Sequence, residues 1–302
     1  MNDMSPVRRK TAKDFPKELI ELYDFYAHGR ITKREFLDRA AKFAVGGVTA
    51  AALLSQLSPD YALAQQVAPD DPSIETSRVD YPSPEGHGTV NAYLVKPAGA
   101  SGALPAVLVI HENRGLNPYI EDAARRLGKA GFIALAPDGL TSVGGYPGND
   151  DEGRALQQTV DAEKLMNDFI AGFEYLRGRT DVDGNVGAVG FCYGGGVVGA
   201  LAVTYPELGA GVVFYGRQPS AADVPAIEAP LLIHYAALDE RINAGWPAFE
   251  AALQEHGKDY VLHFYPDTNH GFHNDTTPCY DAAAAALAED RTIAFFREHL
   301  GE

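Results

Sequence analysis

The stretch "GNVGAVGFCYGGG", residues 184–196, has the composition of a buried strand that enters a run of three glycines through a cysteine. Gly190 and Gly194 lie two residues before and two residues after Cys192, as in the sharp strand-to-helix turn that exposes a nucleophile. We predict that both positions require glycine, because a side chain at either one would collide with neighbouring backbone. The alternative is that Cys192 fills a small space in the core and the glycines let a helix pack closely.

Strand-like and helix-like segments alternate along the chain on both sides of this stretch, from Val67 onward. The continuous apolar runs "LPAVLVIHE" (104–112) and "APLLIHYAALDE" (229–240) are typical of strands buried on both faces. Regular alternation of this kind predicts a mostly parallel sheet covered by helices on both faces. We therefore predict that residues 67–302 form a single α/β domain.

A cysteine nucleophile needs a base, and the base needs an acid that orients it. Ligands of a parallel sheet bind beyond the carboxyl ends of its strands, where Cys192 is expected. Asp239 and His270 each follow a later buried strand, and they come in the chain order nucleophile, acid, histidine of the fold in which this turn occurs. The helix that begins after Cys192 would favour the thiolate. These positions predict a Cys192–Asp239–His270 triad.

Each of these assignments has an alternative. Asp239 could cap a helix and His270 could be an ordinary loop residue, with Asp267 the rival acid and His273 the rival base. His234 lies inside an apolar strand and is predicted to be a core histidine. His270 and His273 have the spacing of metal ligands, but the sequence supplies no convincing further ligand, so no metal and no cofactor are expected.

The loop "HENRGLN", residues 111–117, follows an apolar strand and is expected to form the other half of the site. The backbone N–H groups of Asn113 and Tyr193 are predicted to form the oxyanion hole. Glu112 is predicted to accept the thiol proton when substrate arrives. The alternative is that Glu112 forms a surface ion pair with Arg114.

Over about residues 75–300 the chain resembles the dienelactone hydrolase family, which comprises carboxymethylenebutenolidase-like α/β-hydrolases. The resemblance rests on Glu112, on "GFCYGGG" around Cys192, on Asp239 and on "NHGF" around His270. It implies the α/β-hydrolase fold, attack of the cysteine on a lactone or ester carbonyl, and an acyl-enzyme. It also implies that a glutamate at the position of Glu112 helps to activate the thiol.

The chain departs from the best-studied members of that family at one position. Those members carry an arginine four residues past the histidine, where it binds the substrate carboxylate, and here that position is Asn274. Arg114 and Arg217 are candidates to supply the missing positive charge from other directions. The departure predicts a preference for neutral or weakly polar substrates over carboxylated ones.

Residues 1–66 are expected to form a separate N-terminal piece. Residues 1–42 hold 10 Lys and Arg against 7 Asp and Glu, a net charge of +3, whereas the remainder carries −19. "FPKELIELYDFYAHG" predicts an amphipathic helix. Lys33 and Arg34, an uncharged stretch and "ALA" (62–64) resemble a twin-arginine export signal cleaved before Gln65.

The alternative for residues 1–66 is a helical hairpin that folds onto the catalytic domain or onto a partner subunit. The two interpretations leave the compartment open between the cytoplasm and the periplasm. The apolar stretch is too short and too rich in glycine and alanine for a stable membrane span.

The composition narrows the class of function. A net charge of −16 argues against nucleic acid as a partner, and two cysteines are too few for a disulfide framework. The expected partner is a small ester or lactone substrate, and a homo-oligomer is left open. The alternatives are a thioesterase with the same triad, a catalytically silent domain that binds a partner through its N-terminal helices, and a redox-sensing thiol with Cys279 as the resolving cysteine.

Overall fold

The protein is described by a computed structural model that covers residues 10–63 and 65–301. In this part of the chain eight strands form one sheet in the order β1-β2-β4-β3-β5-β6-β7-β8, with β1, β2 and β4 paired antiparallel and the rest parallel. The strands are β1 Ile74–Ser83, β2 Gly88–Pro97, β3 Leu104–Ile110, β4 Ile133–Pro137, β5 Val182–Phe191, β6 Ala210–Phe214, β7 Leu231–Ala236 and β8 Tyr260–Tyr265.

Three α-helices precede the sheet and seven lie among or after its strands within the same described residues. The first three are α1 Lys17–Ala27, α2 Lys33–Ala40 and α3 Ala50–Leu57. The others are α4 Pro118–Lys129, α5 Asp150–Gln157, α6 Ala162–Arg177, α7 Tyr193–Thr204, α8 Glu240–Asn243, α9 Trp246–Glu255 and α10 Ala282–Leu300.

The predicted α/β fold with an N-terminal helical extension is confirmed. The central strands are apolar throughout because both of their faces are covered. On β5, Val186 and Ala188 pack into the core on one face, whereas Val189 and Phe191 pack into the core on the other. This alternation produces the continuous apolar run that predicts a doubly covered strand.

Strand β1 was not predicted from the sequence. It lies at the edge of the sheet and most of its side chains are exposed, so it lacks the apolar run that identifies the central strands. The pattern-based signal was weak here because pairing with β2, rather than burial, holds this strand in place.

The N-terminal helices form a small apolar cluster of their own and contact the rest of the chain. Leu19, Phe36 and Leu57 are among its buried members. Backbone hydrogen bonds join it to the segment before α10: Ala12 N–H donates to Pro278 O (2.7 Å) and Asp60 N–H donates to Thr276 O (2.8 Å). None of the helices in the described residues is long and apolar enough to cross a membrane.

The predicted need for glycine around Cys192 is confirmed by the packing of the turn. Cys192 itself has φ 55° and ψ −108°, a strained conformation for a residue with a side chain. A Cβ atom at Gly190 would lie 2.1 Å from Gly194 O, and a Cβ atom at Gly194 would lie 2.2 Å from Ile110 O. Since both obstacles are backbone atoms, a side chain at either position would force the strand and helix apart.

We expect Gly194→Ala to lower the free energy of unfolding by about 1–3 kcal/mol or more, because overpacking against fixed backbone cannot be relieved by a rotamer change. Urea denaturation followed by circular dichroism measures the change. Gly196→Ala is the matched control in the same helix, because its Cβ would lie 3.7 Å from Arg217 O, an ordinary van der Waals distance. Equal midpoints for the two variants would contradict the proposed close approach.

Candidate active site

Cys192 lies at the start of α7, beside a cavity of about 220 Å³. Its backbone N–H donates to Phe214 O on the neighbouring strand β6 (3.0 Å), which fixes the turn against the sheet. The cavity is also lined by Asp239, His270, Glu112 and Asn274. The structure thus brings the carboxyl ends of β3, β5, β7 and β8 together at one place, as a parallel sheet requires.

Asp239 and His270 are in direct contact. The Nδ1 atom of His270 lies 2.5 Å from Asp239 Oδ2, while Asp239 Oδ1 accepts from Ile242 N–H (3.2 Å) and so caps α8. Asp239 therefore contacts His270 and caps a helix at the same time, one through each carboxylate oxygen. With Nδ1 donating to Asp239, Nε2 of His270 is a buried nitrogen without a hydrogen-bond partner in the described residues.

The charges at this position favour a thiolate. Burial alone would raise the pKa of the Cys192 thiol, but the facing His28 and His270 rings lower that pKa well below its usual value. Burial likewise opposes protonation of His270, yet Asp239 and Cys192 raise the pKa of its imidazole well above normal. An opposite charge at close range outweighs desolvation in both groups.

The rival acid and the rival base lie elsewhere. Asp267 is exposed, in a loop position with φ 56°. His273 is fully buried, and its two ring nitrogens contact Tyr119 Oη (2.8 Å) and Glu289 Oε2 (2.9 Å), so neither nitrogen is available to share a metal ion with His270.

His234 has the environment expected of a core histidine. Its side chain is fully buried and its two nitrogens contact the hydroxyls of Tyr265 (2.9 Å) and Thr292 (3.2 Å). Burial lowers the pKa of His234 well below its usual value, so the ring stays neutral.

Glu112 is buried at the cavity and does not form the surface ion pair considered above. Its Oε2 accepts a hydrogen bond from Asn274 Nδ2 (3.3 Å), and burial raises the pKa of its carboxyl even though Arg114 acts in the opposite direction. Arg114 forms its ion pair with Asp150 instead, at 2.6 Å. Asn274 therefore binds a carboxyl group of the protein at the place where the resemblance implies binding of a substrate carboxylate.

The candidate positive charges are poorly placed to recognise an anion. Arg114 lines the cavity, but its charge is balanced by Asp150. Arg217 is exposed and is not among the residues that line the cavity. Neither residue restores the charge that an arginine at position 274 would supply.

The loop 111–117 is held in place by His111, a residue that the sequence did not single out. Gly139 N–H donates to His111 Nε2 (3.0 Å), so His111 Nδ1 carries the proton and donates to Glu112 O (2.5 Å). Asn113 follows in this loop, and Tyr193 is the first residue of α7, where an N–H has no acceptor within the helix.

Three residues at the site were not predicted: Asp24, His28 and Arg241. His28 follows α1, and its Nε2 lies 3.2 Å from Cys192 Sγ, while its ring stands edge-on to that of His270 with centroids 4.7 Å apart. Arg241 Nη2 lies 3.1 Å from His28 Nε2 and 3.2 Å from His270 Nδ1. Asp24 and His28 have the i,i+4 spacing of a helical pair, but nothing in the sequence places that helix against Cys192.

One ring nitrogen from each of His28 and His270 and the Cys192 sulfur lie within 4.8 Å of one another. Imidazole and thiolate are ligands that zinc prefers, so these three residues could hold such an ion. Because the sulfur and the His270 ring are also the candidate nucleophile and base, a metal ion there would block both.

The second cysteine has a different environment. Cys279 packs against the apolar cluster of the N-terminal helices, and burial raises the pKa of its thiol to about 12. Such a thiol is a weak nucleophile at neutral pH.

Comparison with known proteins identifies two parts of the chain. Residues 90–300 match the model of the dienelactone hydrolase family, and residues 7–42 match a separate model described as YqhI-like. The "Putative hydrolase fragment YghX" of Escherichia coli is 68% identical over 114 residues, which span 38% of this chain and 97% of that protein.

Two longer matches cover most of the chain. The "Probable 2-oxo-3-(5-oxofuran-2-ylidene)propanoate lactonase" of a Bradyrhizobium species is 34% identical over 69% of this chain and 89% of its own length. The crystal structure of a "Putative Dienelactone Hydrolase" from Klebsiella pneumoniae superimposes with a TM-score of 0.67 at 25% identity, over 74% of this chain and 99% of that one.

Proposed function

The chain belongs to the dienelactone hydrolase family of ester and lactone hydrolases, and we propose that it cleaves small neutral esters and lactones through an acyl-cysteine intermediate. The observation that carries the proposal is the contact of Asp239 with His270 beside Cys192, at the edge of a cavity. Residues 67–302 are proposed to be the catalytic domain.

In the first half of the proposed reaction the sulfur of Cys192 attacks the carbonyl carbon of the substrate. The thiol proton passes to Nε2 of His270 and from there to the leaving oxygen, so that an alcohol departs and a thioester remains. In the second half a water molecule gives its proton to the same nitrogen and its oxygen to the acyl carbon. The acid is released and the sulfur is regenerated.

The tetrahedral intermediate carries a negative oxygen that needs hydrogen-bond donors. We propose the backbone N–H groups of Tyr193 and Asn113 as those donors. The close approach of α7 to the end of β3 supports this assignment, because it brings the first turn of the helix against the start of the loop that contains Asn113.

Glu112 is proposed as an additional acceptor for the thiol proton of Cys192, beside His270. Its raised pKa, which burial causes, makes the carboxyl a better acceptor for a proton than an exposed glutamate would be. Its contact with Asn274 also removes Asn274 from substrate binding, which favours substrates without a carboxylate.

The proposal is tested with matched neutral and carboxylated p-nitrophenyl esters. We expect a stoichiometric burst of p-nitrophenolate, a covalent acyl adduct on the Cys192 peptide by mass spectrometry, and a higher kcat/KM for the neutral ester. Thioesters of the same acyl groups separate an esterase from a thioesterase, because only the leaving atom changes. Turnover without an adduct on Cys192 would contradict the acyl-cysteine mechanism, and an equal kcat/KM for the carboxylated ester would contradict the neutral preference.

A further inference from the structure

The segment after α1 brings a second histidine to the cysteine. His28 Nε2 lies 3.2 Å from Cys192 Sγ, whereas the Nε2 atom of His270 is without a hydrogen-bond partner in the described residues. The sulfur therefore has a close contact from the N-terminal extension, in addition to a ring nitrogen of His270 that lies within 4.8 Å of it.

His28 is oriented in the same way as His270. Its Nδ1 lies 2.8 Å from Asp24 O and 3.1 Å from Asp24 Oδ1, so Nδ1 carries a proton and Nε2 faces the sulfur. His270 repeats this arrangement with Asp239. The cysteine thus stands between two imidazoles, each held by its own carboxylate, which is the geometry that sets the tautomer of a catalytic histidine.

The position of the N-terminal helix is fixed by contacts beyond the site. Asn113 Nδ2 donates to Ala27 O (2.9 Å), which ties the end of α1 to the loop proposed for the oxyanion hole. On the outer side Tyr26 Oη donates to Asp151, and the Arg154 guanidinium lies over the Tyr26 ring at 4.4 Å. These contacts hold His28 in the cavity.

From this geometry we infer that His28 is a second catalytic histidine, which shares the thiol proton of Cys192 with His270 and holds the sulfur as a thiolate. The inference rests on the proposed function and extends it to the N-terminal segment. The proton leaves sulfur for Nε2 of either ring, and no cofactor or oxidant is consumed. That proton then passes to the leaving oxygen of the substrate. In the second half, when the sulfur is acylated, Nε2 of His270 takes the proton from water.

The charges around His28 are consistent with this role. The titratable and charged groups that face His28 are Asp24 on α1, Cys192 at the turn, His270 after β8 and Arg241 on α8. Burial alone would lower the pKa of the His28 imidazole, but Cys192 and Asp24 raise it above its usual value. Asp24 Oδ2, which lies 3.4 Å from Arg241 Nε, offsets the positive charge of Arg241.

Asp24 and His28 lie within residues 1–66, for which the sequence leaves an export signal and a helical hairpin as alternatives. Cleavage before Gln65 would remove His28 and Asp24 from the site. In this inference the N-terminal helices belong to the working enzyme, as the helical-hairpin interpretation requires.

The test measures the rate at which iodoacetamide alkylates Cys192 as a function of pH. The full-length protein is used in buffer with a chelator, and peptide mass spectrometry distinguishes Cys192 from Cys279. We expect His28→Gln to raise the midpoint of the alkylation profile by about 1 pH unit, or roughly tenfold slower alkylation below the midpoint, because an opposite charge next to the sulfur is lost. Asp24→Asn should shift the midpoint in the same direction by a smaller amount.

Tyr26→Phe is the matched control. It removes the hydrogen bond that holds the same helix to Asp151, and it changes no atom in contact with the sulfur of Cys192. An unchanged midpoint in both His28→Gln and Asp24→Asn, or an equal shift in Tyr26→Phe, would overturn the inference. If His28→Gln does not fold, Asp24→Asn decides. Alkylation of Cys192 does not depend on ester turnover. A wild-type protein that hydrolyses no ester would therefore contradict the proposed function, while the shift of the alkylation midpoint would still test the role of His28.

Discussion

Replacing Cys192 with alanine is expected to abolish ester hydrolysis while the protein still folds. The substitution removes the sulfur, which is the atom that forms the acyl-enzyme in the proposed reaction. Alanine keeps the Cβ atom, so the steric demand on the strained turn is unchanged. Hydrolysis of p-nitrophenyl acetate measures the loss, and the circular dichroism spectrum measures the fold. The variant should retain no more than the residual rate that the oxyanion hole alone supports.

Cys279→Ala is the control for this experiment. Its thiol has a pKa of about 12 as a result of burial, so we expect iodoacetamide to label Cys192 in preference to Cys279. Full activity in Cys192→Ala, or preferential labelling of Cys279, would show that the nucleophile has been assigned wrongly. The same labelling result would favour a redox role for Cys279.

Asp239→Asn is expected to lower kcat by about 10⁴-fold with a smaller change in KM, because an amide no longer holds His270 in the tautomer that leaves Nε2 bare. The loss should be catalytic rather than structural, since the amide oxygen of asparagine can still accept from Ile242 N–H and cap α8. Steady-state kinetics with a neutral ester measure the effect.

Asp267→Asn provides the comparison for the acid. Asp267 is exposed in the loop before His270, and the contact with the His270 ring belongs to Asp239. We expect this variant to retain nearly full activity. A larger loss in Asp267→Asn than in Asp239→Asn would identify the wrong acid in the proposed triad.

The sequence by itself determined the sheet and the order of the candidate groups along it. Apolar runs identify strands that are covered on both faces, and chain order places Cys192, Asp239 and His270 after three of them. The glycines around Cys192 were also predictable, because the backbone clash they avoid is local to the turn and the adjoining strand. The exposed edge strand β1 was not, since its pattern carries no burial signal.

Only the tertiary structure decided which groups surround the sulfur. Asp24 and His28 lie more than one hundred residues before Cys192, and their spacing indicates a helix face without indicating what that face covers. Packing also decided the partners of Asn274 and Arg114, which turn to Glu112 and Asp150. Local spacing fixes the conformation of a segment, whereas the contacts of a buried charge depend on which distant segments exclude water from it.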